Sequence, residues 1–112
     1  MVALNTFSQA RIKFDDPKKN FGFVKKGEKV TLVYEFTNEG NQPLFITETK
    51  AECSCTSLSW TKEPVTPGQK GNVTVVFDTT PTYDRQDRTV EVFSNDSKSP
   101  SKIRFKGVVL TK

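Results

Sequence analysis

Two side chains in this sequence carry a reactive chemistry the rest lacks: Cys53 and Cys55, separated only by Ser54. Three readings of the pair compete. In the first both thiols are reduced and at least one is a small core residue, the commonest fate of free cysteine. In the second they close a Cys-x-Cys disulfide. In the third they are reactive thiols or ligands for a soft metal. Extended backbone holds residues i and i+2 about 6.5–7 Å apart at Cα. A disulfide wants its Cβ atoms about 3.8 Å apart, so the segment must bend sharply to close one. The tiny loop would constrain the unfolded chain little, and such a bond would be strained and easily reduced. The metal reading is poorest in ligands: histidine is absent and the single methionine is Met1, so a closed tetrahedral site needs donors from another chain.

Other enzyme chemistry finds no footing. The lack of histidine removes the commonest general base and the Ser–His and Cys–His dyads. There is no glycine-rich phosphate loop and no G-x-S-x-G elbow. Asp84, Asp87 and Glu91 sit in or beside a polar stretch, Thr79–Asp87, that reads as a solvated loop. Asn72-Val73-Thr74 and Asn95-Asp96-Ser97 fit the glycosylation sequon, the first in mid-strand. The expectation is a protein that is not an enzyme, with no catalytic residue, no resident metal and no cofactor.

Charge offers a candidate surface. The chain carries 17 Lys and Arg against 13 Asp and Glu, a net +4. The whole excess falls in residues 11–29, where Arg11, Lys13, Lys18, Lys19, Lys25, Lys26 and Lys29 face only Asp15, Asp16 and Glu28. Six of these seven cations are lysine, which lacks the planar fork used on phosphates and bases, so nucleic acid is not an expected partner. A lysine-bearing edge that discourages aggregation is the bland reading. Lys18, Lys19, Lys25 and Lys26, with Trp60, form the candidate binding surface, although Trp60 reads first as a packing residue.

The elements that must position these residues are strands. Val (12) and Thr (14) dominate, nine Phe are present, and Ala occurs three times, which is β rather than helix propensity. Period-two alternation recurs through Ala10–Phe14, Val30–Phe36, Leu44–Ile46, Thr56–Trp60, Val73–Phe77, Val90–Val92 and Ile103–Val109. Phe21–Val24 reads as a short second piece of the first edge. Asn38–Asn41 is a turn built from residues that tolerate positive φ, and Pro67-Gly68 carries a type II signature. Half-polar strands bury one face each, so two sheets must pack face to face. The predicted fold is all-β: a single immunoglobulin-like β-sandwich domain over residues 1–112, with seven to eight antiparallel strands. No apolar run approaches the roughly 20 residues of a membrane-spanning helix, and Met1–Thr6 shows no signal-peptide pattern.

Tyr34–Ile46 with its Phe36-Thr37-Asn38-Glu39-Gly40-Asn41-Gln42-Pro43-Leu44-Phe45-Ile46 run, then Cys53-Ser54-Cys55-Thr56, Trp60 and Pro67-Gly68, resembles the bacterial domain of unknown function 1573. That family's pattern reads F-x-N-x-G-x-x-P-L-x-I, then C-G-C-T, a Trp and a P-G turn. The resemblance extends outward to Phe21-Gly22, Gly27, Ser94-Asn95 and Gly107, and so covers most of the chain. It implies kinship with the sandwich modules of sperm and cilia-associated proteins, and no established activity. It implies too a Bacteroidetes-type bacterium and a secreted or periplasmic location behind a removed leader. Where the family has glycine between the cysteines, easing a bend by positive φ, this chain has Ser54, which meets a steric cost there. The expected function is a non-enzymatic interaction or structural module for an unknown protein or envelope component. The alternative is a thiol-redox protein using Cys53 and Cys55.

Overall fold

Alternation of apolar and polar residues over Lys29–Asn38 and Lys70–Asp78 builds the two longest strands of one sheet, because every second side chain then leaves water together. In the computed structural model, which describes residues 9–111, eight strands follow in order: β1 (Ile12–Phe14), β2 (Lys18–Lys25), β3 (Lys29–Asn38), β4 (Ile46–Ala51), β5 (Thr56–Trp60), β6 (Lys70–Asp78), β7 (Asp84–Ser94) and β8 (Ser101–Leu110). They form two four-stranded sheets, β1-β3-β6-β5 and β2-β8-β7-β4. The absence of a leader pattern over Met1–Thr6 lies outside the described residues.

The inner faces supply the core: Tyr34 and Phe36 from β3, Val73, Val75 and Phe77 from β6, Val90 and Val92 from β7, Ile103 and Phe105 from β8. Phe77 and Phe105 meet across the sheets with ring centroids 5.2 Å apart, within the range where aromatic pairs attract. The buried Tyr34 hydroxyl donates to the Arg104 carbonyl at 2.7 Å, a polar tie between β3 and β8. Leu44 and Val65 exchange backbone hydrogen bonds at 2.9 and 2.7 Å, closing the sandwich beside β4.

Four local readings change. The Phe21–Val24 piece does continue from β1, but the chain switches sheets at Pro17: β1 pairs with β3, whereas β2 pairs with β8 in the other sheet. That β2–β8 pairing is parallel, while the other strand pairs are antiparallel. The stretch Asp84–Asp87 is strand, not loop. Its alternation is disguised because Gln86 and Arg88 occupy inward positions; Gln86 Nε2 donates to the Tyr83 carbonyl at 2.8 Å, and Arg88 donates to Gln86 Oε1 at 2.7 Å and lies over the Phe77 ring. Local bonds thus satisfy polar groups that the pattern would place in water.

The Asn38–Asn41 turn is the fourth. Gly40 does not have positive φ; a Cβ there would strike the backbone of Gln9, Ala10 and Arg11. The glycine is needed for close approach. Asn38 is fully buried and acts as a hub, donating to the carbonyls of Gln42 (2.7 Å) and Val65 (2.9 Å) and accepting from the N–H of Gly40 (2.9 Å) and Arg11 (3.3 Å).

Candidate functional site

The cysteines lie where the chain crosses from one sheet to the other. β4 ends at Ala51 in the second sheet and β5 begins at Thr56 in the first, leaving Glu52–Cys55 to make the passage. Cys53 and Cys55 are joined in a disulfide, with Cα atoms 5.1 Å apart, well inside the spacing of extended backbone. The bend is held by Thr56 N–H donating to the Cys53 carbonyl at 3.1 Å, and Cys55 N–H points at Cys53 Sγ at 3.1 Å. Ser54 stays out of the left-handed region. The steric cost expected of a residue other than glycine at that position therefore does not arise: the turn closes with ordinary φ. Both cysteines are half-buried, and Cys55 packs on the core. This corrects the reading of reduced core cysteines. The two thiolates that a soft metal would require are used up in the bond.

The lysines occupy the opposite lateral margin. Lys18, Lys19 and Lys25 stand on β2, an edge strand, and Lys26 follows it. Their surroundings differ. Lys19 Nζ lies 3.6 Å from Asp16 and over the Tyr34 ring, its side chain only 26% exposed. Lys26 Nζ donates to the Thr82 carbonyl at 2.7 Å. Burial, and secondarily the charge of Asp16, push the Tyr34 phenol above its ordinary value, so it stays a neutral donor.

Parallel pairing then brings cations from the far end of the sequence beside them: Lys18 is opposite Arg104 and Asn20 opposite Lys106. Arg104 grips Asp87 through two bonds of 2.7 and 2.6 Å, and this hydrogen bonding holds the Asp87 carboxyl below the usual carboxylate range. A groove of about 170 Å³ runs between Lys18, Lys19, Asn20, Arg104 and Lys106. It shares Asn20 and Lys106 with a larger concavity of about 340 Å³ walled by Phe23, Arg85, Asp87 and Val108.

Phe23 and Tyr83, which the sequence reading did not single out, are the most exposed large apolar side chains among the described residues, at 73% and 68%. Plain alternation would put Phe21 and Phe23 on one face. A bulge between Asn20 and Gly22, with Gly22 at φ +78°, shifts the parity so that Phe21 packs on Phe77 while Phe23 faces water. The outer face at this end of β2, β7 and β8 therefore combines Phe23, Tyr83 and Val108 with Lys25, Arg85 and Lys106.

Trp60 is not part of that face. It lies half-buried on β5, the edge of the other sheet, with Lys62 Nζ 3.5 Å from its ring centroid. The candidate binding residues thus fall on two separate margins, four lysines on one and the tryptophan on the other. Among the described residues no group of three or more Cys, Asp and Glu side chains is placed to hold a metal ion.

The family described as protein of unknown function (DUF1573) matches residues 12–109. No curated protein matches the chain. A protein of unknown function from Porphyromonas gingivalis W83 is similar in structure, with TM-score 0.79 at 15% identity; 93% of this chain aligns with 49% of that one, so the chain spans about half its length. The ASH/PapD-like domain 7 of human CEP192 aligns over 100% of this chain and 94% of its own, with TM-score 0.69 and 10% identity. WR4, an MSP family member of C. elegans, aligns over 92% of this chain and 99% of its own, with TM-score 0.54 and 11% identity. At these identities the likeness is one of fold, an immunoglobulin-like sandwich.

Proposed function

Because the chain belongs to the DUF1573 family, a family of unknown function, we propose that it is a non-enzymatic binding module of the bacterial envelope, secreted or periplasmic, that recognises a protein or another envelope component. The observation that carries this reading is the outer face around Phe23. A phenyl ring left 73% exposed beside a concavity of about 340 Å³, flanked by Arg85 and Lys106, is a surface that gains by being covered. Its cations suit an acidic partner. The disulfide supports the compartment, since such bonds persist where the medium is oxidising.

A photo-crosslinking side chain placed at position 23 in the producing cells tests the reading. A discrete adduct in the envelope fraction, weakened by Lys106→Glu and missing when the probe is moved to exposed Gln42, is the expected outcome. Absence of any adduct at position 23 refutes the proposed face.

A second reading has one specific observation in its favour, the half-exposed position of the Cys53–Cys55 bond in the crossover. In it a partner dithiol reduces the bond, two electrons and two protons passing to the cysteine sulfurs while the partner becomes the disulfide. Intact mass after alkylation, with and without a thioredoxin-class dithiol, decides it: no gain of two alkyl groups on exposure to the dithiol rejects this reading.

A further inference from the structure

A two-sheet sandwich leaves four strand edges open to pairing, and natural sheets guard such edges with shortness, charge or bulges. Three edges of this molecule carry these devices. β1 is three residues long. β2 bears Lys18, Lys19 and Lys25 and is broken by the Asn20/Gly22 bulge. β4 carries Glu48 and Lys50 and has an irregularity between Ile46 and Glu48. β5, Thr56-Ser57-Leu58-Ser59-Trp60, has no charge, no proline and an unbroken register with β6.

The backbone of β5 is correspondingly free on its outer side. Asp78 N–H donates to the Cys55 carbonyl at 2.9 Å and Thr61 N–H to the Asn72 carbonyl at 3.0 Å. These bonds mark the odd-numbered residues as the ones that bond to β6, so Leu58 and Trp60 turn their N–H and C=O groups outward. Neither has a partner for those groups among the described residues. Thr56 offers its carbonyl outward, while its N–H is already taken by Cys53.

From this geometry we infer that β5 is a docking edge for a second copy of this chain, pairing antiparallel about a two-fold axis at Leu58. In that register the Leu58 N–H and C=O groups bond reciprocally with the second copy's Leu58. Each Trp60 N–H reaches the other copy's Thr56 carbonyl, the one backbone group of Thr56 that the disulfide turn leaves available. Ser57 faces Ser59 across the axis, and no like charges oppose one another. The same operation on β2 would set Lys18 against Lys25, which disfavours self-pairing there. The two copies would form one continuous eight-stranded sheet, with Leu58 and Trp60 extending the inner face. The inference is independent of the Phe23 face, which lies on the opposite margin.

Sedimentation equilibrium over a roughly hundred-fold range of concentration tests it, since pairing by a single short edge is weak and follows mass action. The wild type should rise toward twice the monomer mass, more readily in high salt, because both copies are cationic. Ser57→Lys with Ser59→Lys, both at exposed positions, should stay monomeric, its introduced cations meeting across the axis. Ser57→Lys with Ser59→Glu should dimerise again, since opposite charges then meet. Circular dichroism and a thermal melt confirm that both variants fold. A wild type that stays monomeric throughout overturns the inference, as does a Ser57→Lys/Ser59→Lys variant that dimerises as well as the wild type. Sensitivity to Lys18→Glu in place of the β5 changes would assign the association to another edge and also overturn it. Crosslinking at position 23 is read separately, so failure here leaves the Phe23 face standing.

Discussion

Replacing Asn38 by Asp should damage the fold more than replacing it by Ala, although Asp is the closer match in shape. Asn38 is 0% exposed, and its Nδ2 donates to the carbonyls of Gln42 and Val65. Alanine removes these bonds and those accepted from Gly40 and Arg11. The loss is tempered because Val65 keeps a bond from Leu44 N–H at 2.9 Å, and Gln42 and Arg11 lie at exposed positions where water replaces the lost partner. A cost of about 2–3 kcal/mol follows, which for a domain of this size lowers Tm by about 10 °C. Aspartate keeps the acceptor side but aims a second oxygen at two carbonyls inside the core, adding repulsion to the burial of a charge.

The buried carboxyl therefore has a raised pKa in the folded state. The folded protein then binds its proton more tightly than the unfolded one, and stability falls as pH rises above the ordinary carboxylate value of about 4. Urea melts of both variants at pH 4 and pH 7 provide the measurement. Asn38→Asp should be the weaker at pH 7 and close much of the gap at pH 4, where the protonated carboxyl regains a donor. An aspartate variant equal to or more stable than the alanine variant at pH 7, with no pH dependence relative to it, would refute the hub assignment.

Other outcomes follow from the same geometry. Tyr34→Phe removes the donor to the Arg104 carbonyl and should cost about 1 kcal/mol in a denaturant melt, without the cavity that larger truncations leave. Gly40→Ala should cost about 1–3 kcal/mol, because its Cβ meets backbone rather than a movable side chain. Reducing the Cys53–Cys55 bond should lower stability by no more than about 1.5 kcal/mol, since a loop this small restricts the unfolded chain little; hydrogen exchange at the Thr56 amide should nevertheless accelerate. The Asp87 carboxyl, observed by NMR, should titrate below the ordinary carboxylate value and move up toward it in Arg104→Gln. Any stabilisation from that pair is present above the ordinary value and lost as pH falls through the depressed one.

Much of the sandwich was legible because β3, β5, β6 and β8 each bury one face without interruption, so residues such as Val73, Val75 and Phe77 announce their side of the sheet by spacing alone. The pattern failed where a local device altered parity or hid polarity. The Gly22 bulge turned Phe23 outward, and Gln86 and Arg88 were satisfied inside by bonds that only the folded backbone provides. The lysine cluster was legible as far as β2, but Arg104 and Lys106 join it through strand pairing, which no local window contains. The cysteine pair departs from the sequence expectation because the crossover between sheets supplies the bend, so the bond closes without positive φ at Ser54.

The parallel register of β2 with β8, Lys18 against Arg104 through Lys25 against Leu110, also sets how the domain would respond to mechanical load. β2 lies near the beginning of the fold and β8 at its end, and both run the same way. Tension applied at the start of β2 and the end of β8 drags β2 backward and β8 forward along a common axis. The hydrogen bonds between them are then strained in shear and must fail together, where an antiparallel terminal pair would unzip one bond at a time. Severing the Arg104–Asp87 grip would leave that resistance in place, whereas a proline in β2 would remove it.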